Sequence, residues 1–139
     1  MTEPTPALLF VYGTLRWGCD TDAARRLASA SRLLGPAHRR GHLYRIENPG
    51  DLPYPGFIPD ETGTPVIGDL LSLPDSKTTL RWLDAYEEAG PAFPEPQEYR
   101  RERLSVETAT GTREAWVYVY GWPTTRKNRS NGGDWLGQR

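Results

Sequence analysis

The chain has 139 residues, of which 37% are hydrophobic and 11% aromatic, and a formal net charge of −1. This length suits one domain with a real core, and the near-neutral charge argues against a general affinity for nucleic acid or an anionic membrane surface. No apolar run is long enough to span a bilayer, residues 1–6 lack the apolar centre of a signal peptide, and the one cysteine, Cys19, excludes an internal disulfide, so a reducing cytoplasm is the expected setting.

Thirteen prolines and fourteen glycines are scattered between apolar runs and mark turns, not disorder. The first run, Leu8-Leu9-Phe10-Val11-Tyr12, reads as a buried central strand. It leads directly into Gly13-Thr14-Leu15-Arg16, where a glycine turn ahead of a helix offers bare backbone N–H groups to an anion or a carbonyl oxygen. Gly13 and Gly18 have the spacing of a phosphate loop, but Cys19-Asp20 stands where Lys-Ser/Thr is needed, so nucleotide binding is set aside.

A helix is expected over residues 20–34, with Ala23, Leu27, Ala30 and Leu34 on one side and Gly35-Pro36 as its stop. Nothing places a histidine beside Cys19, so the thiol reads as a small packed side chain and not as a nucleophile. A second strand covers residues 41–46. His38 and His42, four apart and so roughly 13 Å apart on a strand, cannot share one metal, and with no other histidine a zinc site is disfavoured. In residues 52–57 two prolines lock Tyr54 into a turn, which either plugs the end of a barrel or walls a ligand pocket. Residues 66–73 form the next strand.

That strand feeds a helix over residues 75–88, with Asp75 or Ser76 as N-cap and Gly90-Pro91 as its stop. At about 100° per residue, Leu80 and Leu83 mark the core face, and Glu87 projects between them. Asp84 and Glu88 fall on the flank, open to water. An unpaired carboxylate on a buried face is costly unless it pairs or holds a proton, and desolvation raises its pKa toward the value a general base or acid needs. A slight rotation of the helix, with Glu87 salt-bridged at the core margin, is the bland alternative.

After a Pro-rich loop over residues 91–97, residues 98–106 alternate as a strand, and a turn at 109–111 makes a hairpin with residues 113–120. In the last strand Trp116, Tyr118 and Tyr120 share one face and Ala115, Val117 and Val119 the other, one usable for a pocket wall and one for a core. At least five strands and two helices with hairpins and a crossover predict an α+β fold, a small mixed sheet curled into a β-barrel. Residues 1–139 read as a single domain with its core over 8–121, and 122–139 as a polar C-terminal tail or loop.

The ordered set Tyr12-Gly13-Thr14-Leu15-Arg16, Gly41-x-Leu43-Tyr44, Tyr54-Pro55-Gly56, Gly68-Asp69-Leu70, Leu83-Asp84-x-Tyr86-Glu87, Tyr99-x-Arg101 and Ala115-Trp116-Val117-Tyr118 resembles the gamma-glutamylcyclotransferase-like superfamily, in particular its avirulence-induced-gene-like branch. The resemblance spans about residues 8–121. It implies a mixed barrel whose cavity takes a gamma-glutamyl group held by backbone contacts of Tyr12, Gly13, Thr14 and Leu15. It also implies proton transfer by Glu87, release of 5-oxoproline and a free amine, and no metal or cofactor. Tyr99 and Tyr118 are candidate walls, with Tyr54 beside them. Glu88 departs from the glycine that many relatives carry there, and the loop over residues 89–98 is long; both border the expected mouth. The competing readings are a non-catalytic binding module or stress-response protein on the same fold, and a hydrolase with Cys19 as nucleophile.

Overall fold

A computed structural model describes residues 6–125, 128–130 and 132–136. The elements run β1 (Ala7–Val11), α1 (Asp22–Ser29), β2 (Arg32–Ile46), β3 (Tyr54–Pro59), β4 (Thr64–Leu73), α2 (Ser76–Glu87), β5 (Tyr99–Thr108) and β6 (Gly111–Tyr120). The sheet order is β3-β2-β4-β1-β6-β5, and β5 pairs back onto β2 through Ala37–Thr108 and His38–Glu107. Five strands therefore close a mixed barrel, with β3 as a sixth strand against the far half of β2. The fold is α+β, as the patterning predicts. The pairing of β1 with β6 is parallel and the other named pairings are antiparallel.

β1 is buried on both sides, which is why it reads as an unbroken apolar run. Phe10 and Tyr12 join the inner cluster with Leu43, Phe57, Val66 and Val117. Leu9 and Val11 join an outer cluster with Leu71, Leu73, Leu27 of α1 and Leu83 of α2. β6 divides in the same way, Ala115, Val117 and Val119 inward and Trp116, Tyr118 and Tyr120 toward the helices.

Three expectations about the elements change. α1 is shorter than residues 20–34. Thr21 caps its start by accepting from the amide of Ala24 at 3.1 Å, and the hydroxyl of Ser31 takes the Leu27 carbonyl at 2.6 Å at its end. Arg32 and Leu33 pair instead with Ser72 and Leu71, and Gly35, at φ +138°, sits at a bulge in β2 rather than closing a helix. Residues 54–59 are a strand and not a turn; its prolines are tolerated because β3 lies at the end of the sheet order.

The third change concerns the C-terminal segment, of which residues 126, 127, 131 and 137–139 lie outside the described residues. The described part is not a loose tail. The amide of Ser130 donates to Leu43 O at 2.7 Å, that of Ile67 donates to Gly133 O at 2.7 Å, and Trp135 is buried in the inner cluster. No helix among the described residues is long and apolar enough to cross a membrane.

Candidate functional site

Asp75 caps α2 by accepting from the amide of Thr78 at 3.3 Å. Leu83 is fully buried and Leu80 partly so. Glu87 lies one turn beyond Leu83 and shares its face. Instead of a core contact it meets a cavity of about 110 Å³. Around it stand Tyr12, Gly13, Thr14 and Leu15 from the end of β1, Tyr54 from β3, Tyr99 from β5 and Tyr118 from β6. All eight residues singled out from the sequence thus come together. Burial pushes the Glu87 carboxyl up to about 7, and the negative charge of Glu98 adds to the rise.

The tyrosine walls are fixed by their hydroxyls. Tyr12 donates to Tyr118 O at 2.6 Å and Tyr99 to Pro55 O at 2.8 Å. Tyr118 donates to Asp84 Oδ1 at 2.7 Å, and Tyr54 donates to the Glu98 carboxylate while accepting from Asn48 Nδ2 at 2.7 Å. Burial holds all four above the ordinary phenol value, aided by the charge of Glu87 at Tyr12 and by hydrogen bonds to carboxylates at Tyr54 and Tyr118. Committed donors of this kind shape a pocket; they do not take protons from a substrate.

Gly13 is required by space, since a Cβ there would come within 2.6 Å of Pro55 Cγ. Its carbonyl accepts from the amide of Arg16 at 3.1 Å, closing a turn in which the amides of Thr14 and Leu15 donate to no other backbone group among the described residues. Arg16 braces the turn, with Nη1 at 2.9 Å from Asp134 and Nε at 3.4 Å from Asp69. Asp69 also accepts from the amide of Trp17 at 2.9 Å.

Asp84, placed on a watery flank by its helical angle, is only a quarter exposed. It accepts from Arg101 Nε at 2.8 Å and Nη2 at 3.1 Å as well as from Tyr118. Glu98 and Asn48 were not singled out from the sequence. The only local hint at Glu98 is an acid directly before the Tyr99-x-Arg101 pattern, and nothing local points to Asn48. Elsewhere, Cys19 Sγ lies 3.9 Å from Gly13 O, and His42 Nε2 pairs with Asp60 at 3.0 Å. Among the described residues no group of three His, Cys, Asp or Glu side chains is placed to hold a metal ion.

A family model described as gamma-glutamyl cyclotransferase, AIG2-like, matches residues 9–137. Among solved structures the chain is similar to YkqA from Bacillus subtilis, with a TM-score of 0.67 and 22% identity over 96% of this chain and 40% of that one. It spans well under half of that protein. It is similar also to an AIG2-like protein from Mus musculus, with a TM-score of 0.65 and 21% identity over 90% and 83% of the two chains. An uncharacterised protein from Pyrococcus horikoshii shares the fold with a TM-score of 0.63 and 18% identity over 96% and 92%. At these identities the likeness is one of fold. No curated protein matches the sequence.

Proposed function

Because the chain belongs to the gamma-glutamyl cyclotransferase, AIG2-like family, we propose that it cyclises a small gamma-glutamyl compound, releasing 5-oxoproline and a free amine, within one domain that includes the C-terminal segment. The observation that carries this reading is the Glu87 carboxyl, pushed up to about 7 by burial, in a cavity shared with the Gly13 turn.

The α-ammonium of such a substrate cannot attack until it loses a proton. Glu87, partly ionised at neutral pH and increasingly so above it, accepts it. The freed amine attacks its own side-chain carbonyl carbon and closes a five-membered ring. The tyrosine walls hold the chain folded for this approach. Negative charge gathers on the former carbonyl oxygen, where the Thr14 and Leu15 amides of the turn supply donors. As the carbon–nitrogen bond to the leaving group breaks, Glu87 returns the proton to the departing nitrogen. Between substrate and products the α-nitrogen gives up two protons and the leaving nitrogen gains two. A carboxyl titrating near 7 suits that traffic.

The test is release of 5-oxoproline from a panel of gamma-glutamyl amines and dipeptides. Glu87→Gln is expected to keep the fold by circular dichroism and to lower turnover by about 10²–10⁴-fold. Turnover within a few-fold of the parent would remove Glu87 from its role.

A further inference from the structure

The cavity at Glu87 measures about 110 Å³, room for little beyond the glutamyl portion of a substrate. Whatever is attached to the scissile nitrogen must lie outside it. On the other side of the Gly13 turn lies a groove of about 780 Å³. Thr14 lines both spaces, and Pro53 of the groove is followed directly by Tyr54 of the cavity. The two therefore lie next to each other, with Thr14 as their shared wall.

The groove is walled by Trp17, Leu52, Pro53, Trp135 and Leu136. Trp17 is 41% exposed and Leu52 87% exposed. Neither contributes to the two core clusters. The charged side chains there are already satisfied: Arg45 pairs with Glu47 at 2.9 Å, and Asp20 pairs with Arg25. What the groove leaves unmatched is the apolar surface of Trp17 and Leu52, since Trp135 is buried in the inner cluster with Leu136 packed against it. It is also a built feature. The Trp17 amide is tied to Asp69, and Arg16 next to it bridges to Asp134 beside Trp135, so the turn and the C-terminal segment are held together as its two sides.

We propose that this groove receives the departing amine, and that the substrates are gamma-glutamyl compounds whose amine carries a bulky apolar or aromatic group, such as a gamma-glutamyl dipeptide ending in Leu, Phe or Trp. The assignment rests on the cyclotransferase reading above. Trp17 and Leu52 act here as specificity residues, remote from the proton transfer at Glu87.

The experiment compares kcat/KM for 5-oxoproline release from gamma-glutamyl-Gly, gamma-glutamyl-Leu, gamma-glutamyl-Phe and ε-(gamma-glutamyl)-Lys. The Leu and Phe compounds are expected to exceed the Gly and Lys compounds by about 10–100-fold. In Trp17→Ala/Leu52→Ser the advantage should fall below about threefold while gamma-glutamyl-Gly is turned over as before. Both positions are exposed, so the fold is not at stake. A flat panel, a preference for the Lys compound, or an apolar advantage that survives the double substitution overturns the proposal and leaves the reaction standing. Binding of gamma-glutamyl-Phe to Glu87→Gln, with and without the double substitution, separates the two claims. Binding weakened tenfold by the substitution while the parent protein releases no 5-oxoproline supports the groove and removes the reaction. Binding unchanged by the substitution removes the groove.

Discussion

At Glu87 the chemistry proposed for the carboxyl and the stability of the fold oppose each other. The carboxyl is pushed up to about 7 in the folded chain against an ordinary value of 4.5, chiefly by burial. An acid whose folded pKa is raised binds its proton more tightly in the folded state, so stability is greatest below the unfolded value and is lost as pH rises through the window from 4.5 to about 7. At roughly 1.4 kcal/mol per unit, the loss reaches about 3 kcal/mol above pH 7. Glu87→Gln removes the charge and is expected to stabilise the protein by about 2–3 kcal/mol at pH 8 and by almost nothing at pH 4.5, read from urea denaturation at the two pH values. An equal gain at both would mean that the carboxyl is not desolvated. If Glu87 accepts the substrate proton as proposed, the acid limb of kcat/KM should rise through an apparent pKa near 7 as the carboxyl ionises. Because the charge of Glu98 adds to the shift, Glu98→Gln should favour ionised Glu87 and move that limb to lower pH; an unmoved limb would show that the two carboxylates are uncoupled. Glu87 was legible in the sequence because helical periodicity makes a carboxylate conspicuous among leucines. Glu98 was not, because its relation to Tyr54 spans 44 positions and leaves no periodic trace.

How α2 is fixed decides whether that carboxyl stays in the cavity. Leu80 and Leu83 seat the helix on the outer cluster, and the Asp84–Arg101 pair, with Arg101 also stacked 4.4 Å over the Trp116 ring, pins its last turn to β5 and β6. The helix then stops at Glu88, whose φ of +54° lies in the left-handed region that favours glycine. The departure seen in the sequence at this position is therefore a local strain next to the catalytic candidate. Glu88→Gly is expected to raise stability by about 0.5–1 kcal/mol, whereas Glu88→Ala is not, and neither should alter turnover, since Glu88 is exposed and its side chain is no part of the cavity wall. A gain shared by both variants would point to the lost charge in place of the backbone. Elements with local signatures were readable in this chain: α2 from its Asp75 cap and the glycine that follows, β6 from strict alternation. The end of α1 was not, because Leu34 continues a helical pattern while its neighbours Leu33 and Gly35 pair with Leu71 and Leu70 of β4, more than thirty residues away, and periodicity carries no record of that competition.

Closure of the barrel depends on long-range pairings, β5 onto β2 and β1 alongside β6, and a segment that composition alone marks as a polar loop docks against it. Residues 124–133 are rich in Gly, Asn and Ser, so the sequence offered no reason to dock them; the apolar residues that follow, Trp135 and Leu136, supply it by burying against the inner cluster. That docking reaches the candidate site. Asp134, next to Trp135, pairs with Arg16, and Arg16 closes the turn that presents Thr14 and Leu15 to the cavity. If the segment is part of the core, Trp135→Ala should cost about 3–5 kcal/mol, the range for removing a buried aromatic, and should lower kcat/KM through the loosened turn. Trp122→Ala is the matched control. Trp122 is 40% exposed and, among the described residues, its side chain makes one hydrogen bond, from the indole to Pro96 O at 3.0 Å, so its loss should cost under about 1.5 kcal/mol with turnover unchanged. Urea midpoints and 5-oxoproline release, measured on both variants, distinguish the cases. Equal and small losses would make the segment a cover lying on the barrel, and the brace from Asp134 to the Gly13 turn would then have no thermodynamic consequence.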